Sequence, residues 1–123
     1  MVFLDGLEKA QATAAMPLVT AALENAADIF DAERRAWSRA RQQVITAHEA
    51  LQERELLKMS SLAAALIRAL TGRGIEATTA ALAAESGVTV FRTAFAAWIA
   101  DGEDRSFGEI QHQMLDKLRE TVR

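Results

Sequence analysis

The sequence contains no cysteine, and this absence excludes several classes of chemistry at once. Thiol nucleophiles, disulfide frameworks and zinc sites built on thiolates all require that residue. Only two histidines are present, His48 and His112, and they lie in different segments of the chain. We therefore expect neither a metal site nor a bound cofactor.

Long apolar runs are also missing. No stretch approaches the roughly 20 apolar residues of a membrane span, and no basic segment followed by an apolar one opens the chain. We expect a cytoplasmic protein that makes no contact with a membrane. The net charge of -3 argues likewise against a nucleic-acid binder, because phosphate contacts need clustered Lys and Arg.

Tyrosine is absent and there is a single proline, whereas alanine accounts for 26 of the 123 residues, against six valines and six isoleucines. Alanine has the highest intrinsic helix propensity, and β-branched residues favour strands. The composition therefore predicts an all-α fold. A chain of this length can bury a core without disulfides, and residues 1–123 are predicted to form one domain.

The proline and the few glycines divide the chain into five to six helical segments, which predicts an orthogonal or antiparallel bundle. Pro17 is predicted at the first position of the second helix, and Asp31 at the joint into the third. Ser106 and Glu109 match a capping box at the last helix, and Gly72–Gly74 marks the end of the fourth. The predicted spans are 2–14, 17–30, 32–48, 51–70, 78–100 and 106–122.

The third helix is predicted to be amphipathic. At about 100° per residue, its apolar residues fall on one side and its arginines spread over the other. We interpret the arginines as a solvated face; contact with DNA phosphates or with a neighbouring DNA-binding domain is the alternative. The apolar side consists of Ala36, Trp37, Ala40, Val44 and Ala47, and the arginines are Arg34, Arg35, Arg39 and Arg41.

The fifth helix carries only two charges, Glu85 and Arg92, so it should be buried on nearly all sides. A central position in a monomer would achieve this, but we favour a second chain that covers one face. We predict a homodimer formed by the last two helices, as in a four-helix arrangement. The predicted interface residues are Val90, Ala94, Ala97, Trp98, Ile110, Met114 and Leu118.

No catalytic constellation is visible in the sequence, and we expect that the chain is not an enzyme. His48 and Glu49 are adjacent at a predicted helix joint, where they should point to different sides. Gly72–Gly74 lacks the lysine and the strand-helix context of a phosphate loop.

Large apolar side chains on alanine-rich helices can either fill a tight core or line an apolar cavity. Core packing is the simpler interpretation for each of them taken singly. The candidates for a ligand pocket are Phe30, Trp37, Met59, Phe91 and Phe95, and Arg92 or Glu85 could orient a charged ligand.

Three stretches of the chain occur in a characteristic order: residues 41–62 (RQQVITAHEALQERELLKMSSL), residues 72–75 (GRGI) and residues 82–98 (LAAESGVTVFRTAFAAW). In this order they resemble the C-terminal regulatory domain of TetR-family transcriptional regulators. The likeness is to the subgroup, common in actinobacteria, that includes mycofactocin-type regulators, and it covers about residues 32–122. The chain departs from the pattern at Glu49, where many relatives have a proline.

In that family an N-terminal helix-turn-helix domain binds operator DNA, and the C-terminal helices form a homodimer around an effector pocket. The resemblance implies that a DNA-binding domain precedes residue 1 and that this chain is the regulatory part of a repressor. A small apolar or amphipathic effector would then change the spacing of two DNA-binding domains. A helical protein-interaction module without a small-molecule effector is the alternative.

Residues 65–95 also resemble the helix-turn-helix of the same family. Against that alternative, the interval from Gly87 to Phe95 is short for a recognition helix. Residues 88–100 contain one charge, Arg92, with no lysine to reach phosphates or base edges. A helix of this composition is expected to be buried in protein.

Overall fold

In a computed structural model, which describes residues 2–123, the chain folds into six α-helices and contains no strand in that range. The prediction of an all-α helical bundle is confirmed. The helices are α1 (Val2–Lys9), α2 (Ala15–Ala27), α3 (Ala32–Thr46), α4 (Glu49–Gly72), α5 (Ala77–Trp98) and α6 (Phe107–Thr121).

Two of the predicted N-caps are formed. The Asp31 carboxylate accepts a hydrogen bond from the backbone N–H of Arg34 at 2.8 Å, and the Ser106 hydroxyl accepts one from Glu109 N–H at 3.2 Å. Each bond satisfies a first-turn donor that has no partner within the helix. These side chains therefore fix where α3 and α6 begin.

The end of α4 is also where the glycines predicted it. Gly74 adopts a φ of 90°, a conformation that glycine reaches without steric cost. Its N–H bonds to Thr71 O at 3.0 Å and the N–H of Ile75 bonds to Leu70 O at 3.1 Å, the two bonds of a Schellman motif. The chain reverses here and enters α5.

Two predicted boundaries near the N-terminus are wrong. The first helix ends at Lys9, where the Arg73 guanidinium binds carbonyls of its last turn and of the residues just beyond it, including Leu7 O at 3.2 Å and Ala10 O at 2.7 Å. Pro17 occupies the third position of α2 instead of the first. Proline is tolerated there because amides of the first turn lack an intrahelical acceptor.

Helix α5 lies at the centre of the fold, in contact with α2, α4 and α6. Its own chain thus covers most of its uncharged surface, and no second chain is needed to explain the composition. Glu85 and Arg92 lie on the exposed stripe, together with Leu82. The helix runs through Gly87 without a turn, which argues against a helix-turn-helix over residues 65–95.

Four of the residues predicted to form a dimer interface are buried inside a single chain. Their side chains pack in the core and have no surface left for a partner, so the prediction is wrong for these positions: Val90, Ala94, Trp98 and Ile110. Ala97, Met114 and Leu118 are half-buried, and for them the interface stays a prediction.

Gly87 allows the closest approach between α5 and α2. A Cβ atom at this position would overlap Cγ1 of Val19, which is fully buried. Valine has a stiff, branched side chain, so it cannot turn away cheaply. Close packing against α2 therefore requires glycine at this position, although glycine is unfavourable in the interior of a helix.

Gly87→Ala should lower the free energy of unfolding by about 1–2 kcal/mol, because overpacking outweighs the gain in helix propensity. Gly108→Ala is the matched control, since a Cβ there meets no atom within 4 Å. Chemical denaturation measures both. In the Gly87→Ala/Val19→Ala double variant the two effects should be less than additive, and strict additivity would contradict the contact.

Candidate functional site

Five aromatic rings form a cluster where the α2–α3 loop meets α5 and α6. Phe30, in that loop, stacks on Phe107 with ring centroids 4.5 Å apart and an interplanar angle of 22°. The Trp98 ring meets Phe30 edge-on at 5.6 Å, and Phe91 and Phe95 complete the cluster. Such pairs add about 0.5–1.5 kcal/mol each beyond area burial, so the cluster holds the start of α3 against the core.

Helix α3 is attached to α5 through an arginine. The guanidinium of Arg39 donates to the carbonyls of Ile99 at 3.1 Å, Ala100 at 3.0 Å and Glu103 at 3.2 Å. These carbonyls lie at and just beyond the end of α5, where no intrahelical donor remains. A cation at a helix C-terminus also interacts favourably with the helix dipole.

A second arginine of α3 makes a related contact. The Arg35 guanidinium lies 5.1 Å from the centroid of the Trp98 ring and donates to the backbone carbonyl of Arg105. Ser38, between the two arginines, is buried, and Ile45, about one turn beyond Gln42, is buried as well. The inward face of α3 is therefore largely polar.

The interpretation of the arginines as a solvated face is wrong for Arg35 and Arg39. Arg39 binds backbone carbonyls at and beyond the end of α5, and Arg35 lies over the Trp98 ring and binds a carbonyl of the loop that follows α5. As a result, the apolar side of α3 faces outward. Ala36, Ala40 and Ala47 are exposed, and Trp37 is 55% exposed. Hydrophobic periodicity correctly predicts the helix. Which of its sides faces the core depends on carbonyls that lie 60 or more positions away in the sequence.

Because α3 is held by long side chains, a cleft of about 560 Å³ remains between α3, the first half of α4 and α5. All five side chains predicted to line a pocket lie on this one cleft: Phe30, Trp37, Met59, Phe91 and Phe95. Ile45 and Leu56 add further apolar surface. The cleft is open to solvent on one side, and Trp37 lies at its rim.

Charged side chains surround the apolar floor, among them Glu55 and Lys58, which the sequence did not single out. Glu55 accepts hydrogen bonds from Arg41 and from Lys58, the latter at 3.2 Å. Partial burial raises the pKa of the Glu55 carboxyl, but the hydrogen bonds and charges of Arg41 and Lys58 outweigh this and hold the pKa below its usual value. Glu55 is therefore ionised at neutral pH and joins α4 to α3.

Arg34 and Arg92 also line the cleft. Among the described residues, neither guanidinium has a carboxylate within 4.0 Å. The Arg34 guanidinium lies 5.0 Å from the centroid of the Trp37 ring, and that of Arg41 lies 5.7 Å from it. The spacing of Arg34, Trp37 and Arg41 along one helix face was the signal in the sequence that could have identified this rim.

A second, smaller groove of about 390 Å³ runs between α2 and α6. Met16, Pro17 and Leu115 lie on it, together with Leu118 from the predicted dimer interface. Arg119 and Glu24 are its charged residues. The groove lies on different helices from the cleft between α3, α4 and α5.

No three Asp, Glu, His or Cys side chains within residues 2–123 are placed to hold a metal ion together. In the same range no helix has both the length and the mean hydropathy of a membrane-spanning segment. Comparison with protein-family models gives no match to this chain, and comparison with curated proteins gives none either.

Arg39→Gln should lower the free energy of unfolding by about 2 kcal/mol, because hydrogen bonds to a charged group contribute more than neutral ones and the three carbonyls at and beyond the end of α5 lose the guanidinium donor. Hydrogen exchange should accelerate in α3 more than in α5. Arg39→Lys should not restore stability, since an ammonium group cannot bridge three carbonyls as the guanidinium does. Arg54→Gln is the exposed control with the same charge change; an equal loss there would contradict this role of Arg39.

Proposed function

We propose that the chain is the effector-sensing domain of a TetR-like transcriptional regulator, and that it binds a small ligand in the cleft between α3, α4 and α5. The cleft itself is the observation that carries the proposal. Its volume of about 560 Å³ lies within the roughly 300–1,000 Å³ typical of small-molecule sites. Its floor is aromatic, and a few polar groups surround it, which is the usual composition of such sites.

The way α3 is attached supports a sensing role. One wall of the cleft consists of α3 and the first half of α4, joined by the Glu55 ion pair with Arg41. The opposite wall belongs to α5 and the aromatic cluster. Arg35 and Arg39 hold α3 through directional hydrogen bonds more than through interlocking apolar side chains. A ligand that contacts both walls would favour one separation of α3 and α5 over others, and this differential binding is the basis of an allosteric response.

In this proposal the DNA-binding function belongs to another domain of the regulator, and the chain acts as a homodimer. Ala97, Met114 and Leu118 are the remaining interface candidates. Val122 is exposed beside Leu118 on the groove between α2 and α6, which extends the apolar surface there. The proposed regulator is a repressor whose DNA binding the ligand controls allosterically.

A protein-interaction module is the second candidate function, and one observation favours it. Val44 and Leu57 are exposed on the α3–α4 pair outside the cleft, and Leu57 is 64% exposed. Exposed apolar groups that lie on neighbouring helices are typical of surfaces that bind another protein. Under this alternative the outer face of the pair, and not the cleft, would be the binding surface.

The environment-sensitive neutral probe N-phenyl-1-naphthylamine should bind the wild-type chain with a fluorescence increase and should quench Trp37. Met59→Trp places a larger ring in the cleft and should weaken probe binding about tenfold or more. Leu57→Trp, two residues along the same helix and outside the cleft, is the control and should leave binding unchanged. Trp37→Phe separates the quenching of Trp37 from that of the buried Trp98.

If the probe binds the Met59→Trp and wild-type chains equally, the cleft is not the ligand site. Weakening by Leu57→Trp alone would favour the exposed face of the α3–α4 pair and hence the interaction module. Circular dichroism of each variant establishes that the helices are intact before binding is compared.

Sedimentation equilibrium tests the dimer separately. We expect a mass of two chains at micromolar concentration, and Leu118→Glu should shift the equilibrium to monomers, because a carboxylate buried in an interface without a partner is costly. Leu82→Glu, on the exposed stripe of α5, is the control. A monomeric wild-type chain would contradict the proposed dimer.

A further inference from the structure

We infer that the cleft binds an amphipathic anion: a single carboxylate or phosphate monoester attached to an apolar body. This inference rests on the proposed function, since it names the chemical class of the ligand of the same cleft. It comes from the distribution of charge around the cleft, which differs in sign from that of the whole chain.

The chain has 14 Lys and Arg residues against 17 Asp and Glu residues, so an average patch of its surface is slightly acidic. The cleft reverses this balance. Its lining contains four cations, Arg34, Arg41, Lys58 and Arg92, and one carboxylate, that of Glu55. A local excess of positive charge beside apolar walls raises the local concentration of anions.

Two of these cations already have a partner, and two do not. Arg41 and Lys58 share the Glu55 carboxylate. Arg34 and Arg92 are without a carboxylate within 4.0 Å in the part of the chain that the structure describes. Guanidinium groups match carboxylate and phosphate oxygens bidentately, so each of these two arginines offers a binding group for the charged head of a ligand.

The apolar end of the site is the aromatic floor. Phe91 is nearly buried and packs on Phe30 with ring centroids 5.6 Å apart, and Phe95 lies 6.3 Å from Phe91. Met59 faces these rings from α4 and can adapt its unbranched side chain to ligands of different shape. A molecule with a charged head at Arg34 or Arg92 could therefore bury its body between α4 and α5.

A polyanion or a membrane surface would use the same cations differently. Both present many charges over an extended surface, whereas here the cations surround one cleft and the net charge of the chain is -3. Long-range repulsion therefore disfavours a large anionic partner more than a single amphiphile. A small amphipathic anion fits the charge and the shape together.

The test compares amphiphiles that share a twelve-carbon chain and differ in the head group, each below its micelle concentration. Dodecanoate, dodecyl phosphate, 1-dodecanol and dodecyltrimethylammonium displace N-phenyl-1-naphthylamine from the wild-type chain. At least one of the two anions should bind about tenfold or more tightly than dodecanol, a difference of about 1.4 kcal/mol. Which anion binds more tightly distinguishes a carboxylate ligand from a phosphate ligand. Raising the salt concentration should reduce this preference.

Three variants assign the preference to residues. Arg34→Gln/Arg92→Gln should bring the affinity for the anion down to that for dodecanol and leave dodecanol binding unchanged. Arg54→Gln/Arg68→Gln makes the same charge change at exposed positions outside the cleft and should keep the preference. Glu55→Gln should increase anion affinity, because it removes the one carboxylate that the described residues contribute to the lining and releases Arg41 and Lys58. This gain cannot result from a failure to fold.

Equal affinities of the wild-type chain for the anions and for dodecanol would overturn the inference while leaving ligand binding in the cleft intact. Failure of every amphiphile and of the naphthylamine probe would instead contradict the proposed function. An equal loss in the Arg54→Gln/Arg68→Gln variant would attribute the preference to overall charge. Co-sedimentation with phosphatidylglycerol vesicles, without binding of monomeric dodecanoate or dodecyl phosphate, would overturn the inference in favour of a membrane surface.

Discussion

The stacking of Phe30 on Phe107 is the contact on which the remaining architecture depends. Phe30 lies in a short loop, yet its ring is surrounded by Phe91, Phe95 and Trp98 of α5. The loop is therefore held in the core, and α3 can begin only where Asp31 caps it, at the edge of the aromatic cluster. The same rings that close the core on one side form the floor of the cleft on the other, so stability and the candidate site share one set of side chains.

Backbone carbonyls that lack donors determine which side of α3 faces inward. The carbonyls at and beyond the end of α5 have few backbone donors, and a buried carbonyl left without a partner costs about 1–3 kcal/mol. Arg39 supplies the donors, and Arg35 lies over Trp98. A helix that contacts its neighbour through arginine side chains lies farther from that neighbour than a helix that packs on it through alanines. The cleft is the space that this difference leaves, and its lining is consequently both aromatic and basic.

The cleft was accessible to sequence reasoning only in part. Size and apolar character selected Phe30, Trp37, Met59, Phe91 and Phe95, and the structure brings all five to one surface. Of the basic rim, only Arg92 on α5 was named as a possible partner of a charged ligand. Arg34 and Arg41 on α3 and Lys58 on α4 were missed, because these residues come together only when three helices pack. The same limitation explains the dimer residues: an apolar helix indicates burial, but Val90, Ala94, Trp98 and Ile110 are covered by their own chain.

The sequence by itself determined the helical class and most helix ends, because these depend on neighbours in the chain: alanine content, the caps at Asp31 and Ser106, and the left-handed Gly74. Only the tertiary structure decided which side of α3 faces inward and which helix lies at the centre. Those outcomes depend on whether carbonyls and apolar surfaces remote in sequence find partners. The same spacing of arginines along a helix occurs when they face solvent and when they bind carbonyls near the end of a neighbouring helix. Only the fold distinguishes these two cases.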